Sequence, residues 1–388
     1  MLDKMRLLTP GPTSLPERVR LALARDMIHH RKPEFKAIMG EVQQKLRHLF
    51  GTEGEVLALT ASGTGAMVAA LQGLFAPGET VLVIQGGKFG ERWTEIARAR
   101  GLEVRVLAVP EGRAVNPAEV AAALAADPNI AGVFVQLSET STGVQHPVRE
   151  LAEIIRKTPA LLVVDGISGL GITPCPMDEW GLDCLLTGSQ KGLMLPPGLA
   201  FLALSERAWA KAGSVESGNF YFNLAAERDN IRKGQTCFTP AIGLLVALNE
   251  SLSIFMEEGL ENIFRKQWAL TCMARAGVRA LGLELFAPDH PAWGLTSLRL
   301  PAGVKSSAVL GIAARKFNVI MAAGQGDAKD LIIRIGHMGW VDWADLAAGL
   351  HALAEACREA GIAVNTDNYL EQALAAYWQA WNNGYVAS

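Results

Sequence analysis

The pattern of apolar and polar positions divides most of the chain into strands that alternate with helices. Short apolar runs, typical of buried strands, lie at residues 56–60, 80–85, 103–108, 132–136, 161–165, 183–187 and 199–204. Segments with apolar residues three to four positions apart, which indicate helices, lie at 35–50, 64–75, 89–100, 117–126 and 148–156. This alternation predicts an α/β fold whose main sheet is largely parallel and covered by helices on both faces.

A second, smaller group of predicted elements follows residue 260. It contains apolar runs at 294–300 and 331–335 and helical patterns at 307–316 and 342–360. A helical pattern at 240–258 leads into this group. We therefore predict four parts: an N-terminal arm at 1–20, a large domain at 21–260, a small C-terminal α+β domain at 261–364 and an aromatic helical tail at 365–388.

The predicted tail is rich in aromatic residues at roughly helical spacing. They are Tyr369, Tyr377, Trp378, Trp381 and Tyr385. An amphipathic helix that packs on the body of the protein or on a partner subunit accounts for this spacing better than a role in cofactor binding.

Composition narrows the class of protein. A chain of 388 residues is longer than one simple core requires, which also favours two domains. Charged residues make up 19% and the formal net charge is −3, so we expect neither nucleic acid nor a membrane as partner. The five cysteines form no C-x-x-C pair, which favours reduced thiols over disulfides or zinc. With no signal-like segment and no apolar run of about 20 residues, we expect a soluble, cytoplasmic protein.

Two charged residues beside apolar runs suggest the chemistry. Asp165 closes the run at 161–165, and Lys191 lies between the run at 183–187 and the segment MLPP at 194–197. An ammonium group in apolar surroundings is costly unless it is paired, deprotonated or used covalently, and lysine readily forms Schiff bases. Alone, either residue would be an ordinary surface lysine or strand-end acid. Together they favour pyridoxal phosphate (PLP), which needs a lysine for its aldehyde and an acid for its pyridine nitrogen.

A glycine-rich turn after the first apolar run is suited to an anion. Gly63 and Gly65 allow close approach of the backbone, and Thr64 can cap the helix that follows, whose free N–H groups favour a phosphate. A dinucleotide site is a weaker interpretation, because Val68 stands in place of the third glycine of that fingerprint. A tight strand–helix turn without a ligand is the structural alternative.

Three further positions fit a ligand site, and each has a structural alternative. Phe89, in a turn after a strand, would stack on a planar ring, although a lone aromatic there is more often a core residue. Ser141 belongs to a hydroxyl-rich loop at the carboxyl end of a predicted strand, where ligands bind in such sheets. Arg334 lies inside an apolar strand and would bind a carboxylate or form a structural salt bridge.

Taken in order along the chain, these segments resemble those of fold-type I PLP enzymes, specifically the class V aminotransferases of the alanine/serine–glyoxylate aminotransferase group. The resemblance covers essentially the whole chain up to about residue 360. The matching segments are PGPT at 10–13, HRKPEF at 30–35, SGTG at 62–65, GKFG at 87–90, STGV at 141–144, VDG at 164–166, GSQK at 188–191, FTP at 238–240 and RIG at 334–336.

The resemblance implies a role for each candidate residue. Lys191 would form the Schiff base with PLP, and Asp165 would be the partner of the pyridine nitrogen. Arg334 would bind the substrate α-carboxylate, with Ser141 near both cofactor and substrate. The phosphate would be held by Thr64, Gly65, Ala66 and Gln190.

The resemblance also implies an obligate homodimer with active sites at the subunit interface. Side chains around Gln235, Thr236 and Thr239 would reach the phosphate of the neighbouring subunit. Phe89 stands where relatives often carry Trp or Tyr, which keeps the stacking and removes the polar group. Ala66 offers only a backbone N–H where some relatives place a histidine, and the segment at 235–240 lacks the tyrosine of some members.

The expected activity is a ping-pong transamination from a small amino acid, of the alanine or serine type, to a small 2-oxo acid, of the glyoxylate or pyruvate type. Cysteine desulfurase chemistry is disfavoured because the segment 317–327 contains no cysteine. Three alternatives stay open: PLP-dependent lyase or decarboxylase chemistry, transamination of an aminophosphonate or ureidoglycine, and a non-catalytic PLP-fold subunit. Intact Lys191, Asp165 and Arg334 argue against the last of these.

Overall fold

The computed structural model describes residues 4–385. Helices α1 to α14 span Glu17–Leu23, Pro33–Phe50, Gly63–Leu74, Lys88–Ala99, Pro117–Ala126, Val148–Ile155, Met177–Trp180, Glu206–Ser214, Leu224–Ile231, Ile242–Glu258, Leu260–Ala280, Ser306–Phe317, Trp343–Glu359 and Tyr369–Asn383. Strands β1 to β15 span Arg6–Leu7, Val56–Ala61, Thr80–Gln85, Glu103–Ala108, Ile130–Gln136, Ser138–Glu139, Val144–Gln145, Leu161–Asp165, Cys184–Gly188, Gly198–Leu204, Glu284–Leu285, Leu295–Arg299, Val319–Ile320, Ala322–Ala323 and Ile332–Gly336.

The larger sheet has seven strands in the order β2-β10-β9-β8-β5-β3-β4. Its strands run parallel except β10, which is antiparallel to both of its neighbours. Strands β8 and β9 are buried at every position, which explains why they read as continuous apolar runs rather than as alternating ones. The predicted α/β fold with a mainly parallel sheet is confirmed.

Helices cover this sheet through apolar faces and close backbone contacts. Trp93 of α4 packs against Phe134 of β5 with ring centroids 4.7 Å apart, and Phe75 packs on the same ring at 5.3 Å. Helix α3 consists largely of small residues, and a Cβ at Gly73 would overlap the side chain of Leu224 at the start of α9, so the two helices lie close together.

The smaller sheet is antiparallel, in the order β11-β12-β15-β14, and packs with α11, α12 and α13 around a separate core. Arg334 is the middle residue of β15. The aromatic tail forms α14, which packs on α11, where Gly277 leaves room for Ala373. Within residues 4–385, no helix combines the length and apolar character that crossing a membrane requires.

The N-terminal arm connects the smaller sheet region to the active site. Strand β1 pairs in parallel with β13, Arg6 opposite Val319. The carbonyl of Leu8 then accepts a hydrogen bond from the backbone N–H of Gly336, directly after the central residues of β15. Farther along, the backbone N–H of Thr13 donates to the carbonyl of Gln190 at 3.2 Å. Residues 6–13 therefore run from the edge of the smaller sheet to the loop that carries Lys191.

Candidate active site

Lys191 and Asp165 lie at the carboxyl ends of two neighbouring strands. Asp165 is the last residue of β8, and Lys191 follows β9, which pairs with β8 in parallel. Because parallel strands of one sheet end at the same edge, loops distant in sequence meet there. Both side chains are buried, and the charge of each shifts the pKa of the other. The structure thus brings together the two residues on which the sequence-based prediction rests.

Burial moves the pKa values of this pair toward neutrality from opposite sides. It raises the pKa of Asp165 to about 7, although the N–H of Ile167 donates to its Oδ1 at 2.9 Å. Burial, followed by the charge of Arg334, lowers the pKa of Lys191 to about 8. Within the described residues neither group forms an ion pair, and Lys191 Nζ donates to the carbonyl of Pro10. The site therefore contains an amine that is readily deprotonated and a carboxyl group without a cation.

The N-terminus of α3 is open to an anion. Ser62, the residue before the helix, makes no capping hydrogen bond, and the first turn carries no acidic side chain. Gly63 and Gly65 are required for space, because a Cβ would come within 2.5 Å of Ile167 at the first and 2.6 Å of Ala61 at the second. Thr64 and Ala66 lie in the same turn. Unpaired N–H groups at a helix start favour a phosphate.

Gln190 completes this anion cradle from the β9 side. Its Oε1 atom is buried and has no hydrogen-bond partner within residues 4–385. It lies 3.1 Å from the position of a Cβ on Gly188, and that position is itself 3.5 Å from the Cα of Gly63. The side chain of Gln190 is therefore next to the start of α3, where its amide can orient toward an anion.

Helix α4 presents an aromatic ring and an arginine to the same site. Phe89 is half-buried in the first turn, and the guanidinium of Arg92 lies 4.9 Å from the centroid of its ring. Arg92 Nη1 donates to Thr64 Oγ1 at 3.3 Å, and its charge lowers the pKa of both Lys191 and Asp165. Sequence reasoning missed Arg92. The available signal was its spacing of three residues from Phe89, which places both on one helix face.

The loop after β5 holds Ser141 against a second residue that sequence reasoning missed. Ser141 Oγ donates to Glu139 Oε1 at 2.5 Å and accepts from the N–H of Lys88 at 3.0 Å. Glu139 is fully buried, and its carboxylate also accepts from the backbone of Phe89 and Gly90. The signal available in the sequence was weak, because Glu139 is an acid in a hydroxyl-rich segment three residues after an apolar run.

Arg334 reaches this loop from the smaller sheet. Its Nε donates to the carbonyl of Ala323 and its Nη1 to the carbonyl of Thr140, each at 2.8 Å. Burial lowers its pKa to about 10, opposed by the charge of Glu139, so the guanidinium stays protonated at neutral pH. No carboxylate among the described residues lies within ion-pair distance, so the alternative of a structural salt bridge is not what the structure shows. The buried guanidinium suits a carboxylate ligand.

The three residues assigned to the subunit interface lie in the segment between α9 and α10. Gln235 Oε1 accepts from Arg31 at 2.6 Å, Thr236 Oγ1 donates to the carbonyl of Phe238 at 2.6 Å, and Thr239 is exposed. Within residues 4–385 none of the three bonds to Lys191. Their segment lines a cleft with Phe222, whose ring lies 3.5 Å from where a Cβ on Gly65 would be.

These features together define a class of protein. The site combines four features: a buried amine, a buried acid without a cation, a helix start beside a buried glutamine, and a guanidinium held by two carbonyls. In that order, they match the aldehyde, the pyridine nitrogen, the phosphate and the substrate carboxylate that PLP chemistry involves. The residues present therefore fit PLP. On a seven-stranded, mainly parallel sheet this combination is that of a fold-type I PLP enzyme.

The chain belongs to the class V aminotransferase family, since residues 17–341 match the family described as aminotransferase class-V. It is 38% identical over 365 residues to the soluble hydrogenase 42 kDa subunit of Anabaena cylindrica, across 93% of this chain and 95% of that protein. It is 35% identical to the serine–glyoxylate aminotransferase of Methylorubrum extorquens, across 86% of each.

A solved structure agrees with this assignment. The ureidoglycine–glyoxylate aminotransferase of Bacillus subtilis superposes with a TM-score of 0.91 and 27% identity, over 97% of this chain and 99% of that one. The protein is accordingly a PLP-dependent transaminase. Within residues 4–385 no group of three or more His, Cys, Asp or Glu side chains is arranged to hold a metal ion.

Proposed function

We propose that the protein transfers an amino group from a small amino acid, of the alanine or serine type, to a small 2-oxo acid, of the glyoxylate or pyruvate type. The observation that carries this proposal is the buried pair of Lys191 and Asp165 at adjacent strand ends, with Arg334 held over the same edge by two backbone carbonyls. The family and the glyoxylate aminotransferases among the relatives support it.

Each residue has a role that follows from its surroundings. When bound, PLP supplies a ring that accepts the electrons left as the substrate loses its α-proton. Lys191 would hold its aldehyde carbon, Asp165 its protonated pyridine nitrogen and Phe89 one face of its ring. The phosphate would lie at the start of α3, held by Thr64, Gly65, Ala66 and Gln190.

Proton transfer falls to the amine of Lys191. With its pKa near 8, Nζ is neutral in a substantial fraction of molecules at physiological pH and can take the proton from the substrate α-carbon. The carbonyl of Pro10 accepts a hydrogen bond from Nζ and so orients it. Arg334 holds the substrate carboxylate and thereby fixes which bond at the α-carbon faces the amine.

We also propose a cytoplasmic homodimer in which the region around Gln235, Thr236 and Thr239 serves the neighbouring site. An exposed aromatic surface beside this region supports the proposal: the Tyr221 ring stacks on Phe238 at 5.0 Å, and Phe220 is 85% exposed. An aromatic patch of this kind is typical of surfaces that a protein partner covers. Sedimentation of the purified protein as a monomer at micromolar concentration would overturn the dimer.

The two sheets support the proposed division into domains. We place the boundary near residue 260, between α10 and α11, because the helices before it belong mainly to the core of the seven-stranded sheet and those after it to the core of the four-stranded sheet.

The test of the function is a pair of half-reactions. Alanine, serine, aspartate, ureidoglycine and 2-aminoethylphosphonate are added singly to the PLP-loaded protein, and the absorbance of the lysine-bound cofactor is followed. Glyoxylate or pyruvate is then added. Loss of the band with alanine or serine, and its recovery with one oxo acid, is expected. Recovery without an oxo acid would indicate lyase chemistry instead, and no response to any donor would refute the proposed substrates.

A further inference from the structure

We propose that Glu139 is a positioning residue that holds two parts of the site in place relative to each other. One is the helix turn that carries Phe89, on which the cofactor ring would stack, and the other is Arg334, which would bind the substrate carboxylate. Its carboxylate accepts hydrogen bonds from the first turn of α4, which carries Phe89, and from the N–H of the peptide between Thr140 and Ser141, whose carbonyl, that of Thr140, accepts from Arg334. This inference rests on the proposed function, and it assigns to Glu139 a role that acts through Phe89 and Arg334.

The hydrogen bonds of Glu139 show what its carboxylate does. Oε2 accepts from the backbone N–H groups of Phe89 at 3.2 Å and Gly90 at 3.1 Å. Oε1 accepts from the backbone N–H of Ser141 at 3.1 Å and from its hydroxyl at 2.5 Å. Burial raises the pKa of Glu139, and these four hydrogen bonds, all donated to the carboxylate, oppose that rise by favouring its ionised form. The two N–H groups on Oε2 belong to a helix start, where the helix dipole also favours a negative charge.

The backbone around Glu139 is shaped to admit its side chain. A Cβ at Gly87 would lie 2.7 Å from both Cγ and Cδ of Glu139 and would overlap Ser141 Oγ. Gly87 has φ near 170°, an extended conformation that any residue adopts. Glycine is therefore needed here for space and not for its backbone freedom, and that space is the one that the carboxylate of Glu139 occupies.

From this anchor two connections lead to opposite sides of the site. On the cofactor side, the α4 turn positions Phe89, whose ring carries the guanidinium of Arg92. On the substrate side, the carbonyl of Thr140 receives Nη1 of Arg334. Because both connections start at one fully buried side chain, a shift of the carboxylate would move the ring of Phe89 and the guanidinium of Arg334 together.

Electrostatics supports the same assignment. No lysine or arginine among the described residues lies within ion-pair distance of Glu139, so no local ion pair neutralises its charge. The charge opposes the effect of burial on the pKa of Arg334 and so helps keep the guanidinium protonated. A carboxylate that is held by neutral donors and acts on a nearby cation is suited to a positioning role rather than to proton transfer.

The test uses two variants that disturb the anchor in different ways. Glu139→Gln keeps the shape but places an amide NH₂ against backbone donors. Gly87→Ala leaves the charge in place but pushes the carboxylate aside. The matched controls are Glu150→Gln, an exposed acid, and Gly213→Ala, at a helical glycine with nothing within 4 Å of a new Cβ.

Each variant is assayed for PLP dissociation constant, for KM and kcat with both substrates and for thermal midpoint. We expect both anchor variants to raise the PLP dissociation constant and the KM of both carboxylate substrates about tenfold, with a smaller loss in kcat. The controls should match the wild type. A purely structural residue would lower the thermal midpoint and leave these constants unchanged in the folded fraction.

The outcomes separate this inference from the proposed function. If the wild type transaminates but both anchor variants keep wild-type PLP affinity and KM, the role of Glu139 is wrong and the function stands. If the wild type transaminates none of the donors, the function is wrong, and PLP affinity alone still decides whether Glu139 positions the ring seat. If Glu139→Gln does not fold, Gly87→Ala carries the test.

Discussion

The amino ends and the carboxyl ends of the parallel strands form two opposite edges of the seven-stranded sheet, the amino edge and the carboxyl edge. Each carries a buried aspartate, and the two aspartates have different partners. At the amino edge, Asp183 lies directly before β9 and is matched by Arg207, with Nη2 at 2.5 Å from Oδ2 and Nε at 2.9 Å from Oδ1. The backbone N–H of Leu162 also donates to it at 2.8 Å. At the carboxyl edge, Asp165 accepts one backbone hydrogen bond and has no cation within ion-pair distance among the described residues.

The difference shows how one sheet separates stability from chemistry. A buried carboxylate with a bidentate guanidinium contributes to the folded state, and removing it leaves a charge unpaired. A buried carboxyl group without a nearby cation is unfavourable in its ionised form, and burial therefore raises the pKa of Asp165 to about 7. A protonated pyridine nitrogen would supply the missing charge. The carboxyl edge is therefore built for a ligand, and the amino edge for the fold.

The largest effect that the comparison predicts is for the amine at the carboxyl edge. Lys191→Ala should abolish turnover, because no other amine among the described residues occupies its position against the Pro10 carbonyl. Steady-state transamination measures the loss, and the thermal midpoint should not fall, because an unfavourably buried ammonium is removed. Full activity in this variant would refute the mechanism.

The comparison itself is tested by exchanging the acids one at a time. Asp165→Asn should lower kcat about a hundredfold or more, because the amide cannot hold the pyridine proton, while stability stays near that of the wild type. Asp183→Asn should do the opposite: it should destabilise the fold by about 2 kcal/mol, since it weakens the hydrogen bonds of this buried side chain with Arg207 and with the N–H of Leu162, and the folded fraction should keep its kcat. Urea unfolding and kcat measured on both variants decide the matter. Equal losses of activity would break the distinction between the edges.

Two backbone carbonyls orient the guanidinium of Arg334, which leaves it in place to bind a substrate carboxylate. Its loss should therefore affect substrate binding more than the chemical step. Arg334→Lys should raise KM for both substrates about ten- to a hundredfold, because a point charge replaces a bidentate contact. The change in kcat should be smaller. An unchanged KM for donor and acceptor would contradict the assignment of Arg334 as the carboxylate clamp.

The pKa of Lys191 predicts how fast the cofactor-free protein captures PLP. Only the neutral amine attacks an aldehyde, so the rate should rise about tenfold per pH unit below 8 and level off above it. Stopped-flow absorbance between pH 6 and 10 would show the midpoint. The charge of Asp165 raises the pKa of Lys191, so Asp165→Asn should shift this midpoint downward. A rise that continues to pH 10 would mean that burial does not lower the pKa.

The smallest expected effect is that of replacing the ring of Phe89. Phe89→Leu keeps apolar volume but loses the flat face, and should weaken PLP binding about three- to tenfold. Phe89→Trp should restore the affinity or improve it, since a larger ring offers more stacking area. Dissociation constants from equilibrium dialysis give the comparison. Unchanged affinity in the leucine variant would mean that the ring of Phe89 faces the core rather than the cofactor.

Much of this architecture could be predicted from the sequence, because its strands are apolar runs bounded by turns. The runs at 80–85 and 161–165 match β3 and β8 residue for residue, since burial on both faces leaves no ambiguity of period. The two-residue strands β1, β6, β7, β11, β13 and β14 were not predicted. Strands of that length have no period, and their pairing depends on neighbours far along the chain.

The site was predictable where one residue type carries the chemistry. Asp165 and Lys191 combine an unusual residue type with a strand end, and that combination is visible in one dimension. Glu139 and Arg92 were missed because their importance comes from partners on other elements: the helix start at Phe89 in one case and Thr64 in the other. An acid in a hydroxyl-rich loop and an arginine on an amphipathic helix are common in any sequence.

The pairing of β1 with β13 has a consequence for how the protein is made. Arg6 leaves the ribosome long before its partner Val319 is synthesised. The seven strands of the larger sheet can assemble as they emerge, since their partners in that sheet all lie before residue 205. The arm has to wait, and with it the hydrogen bond between Pro10 and Lys191. A nascent chain halted before β13 would thus have its main sheet while Lys191 still lacks its hydrogen bond to the arm.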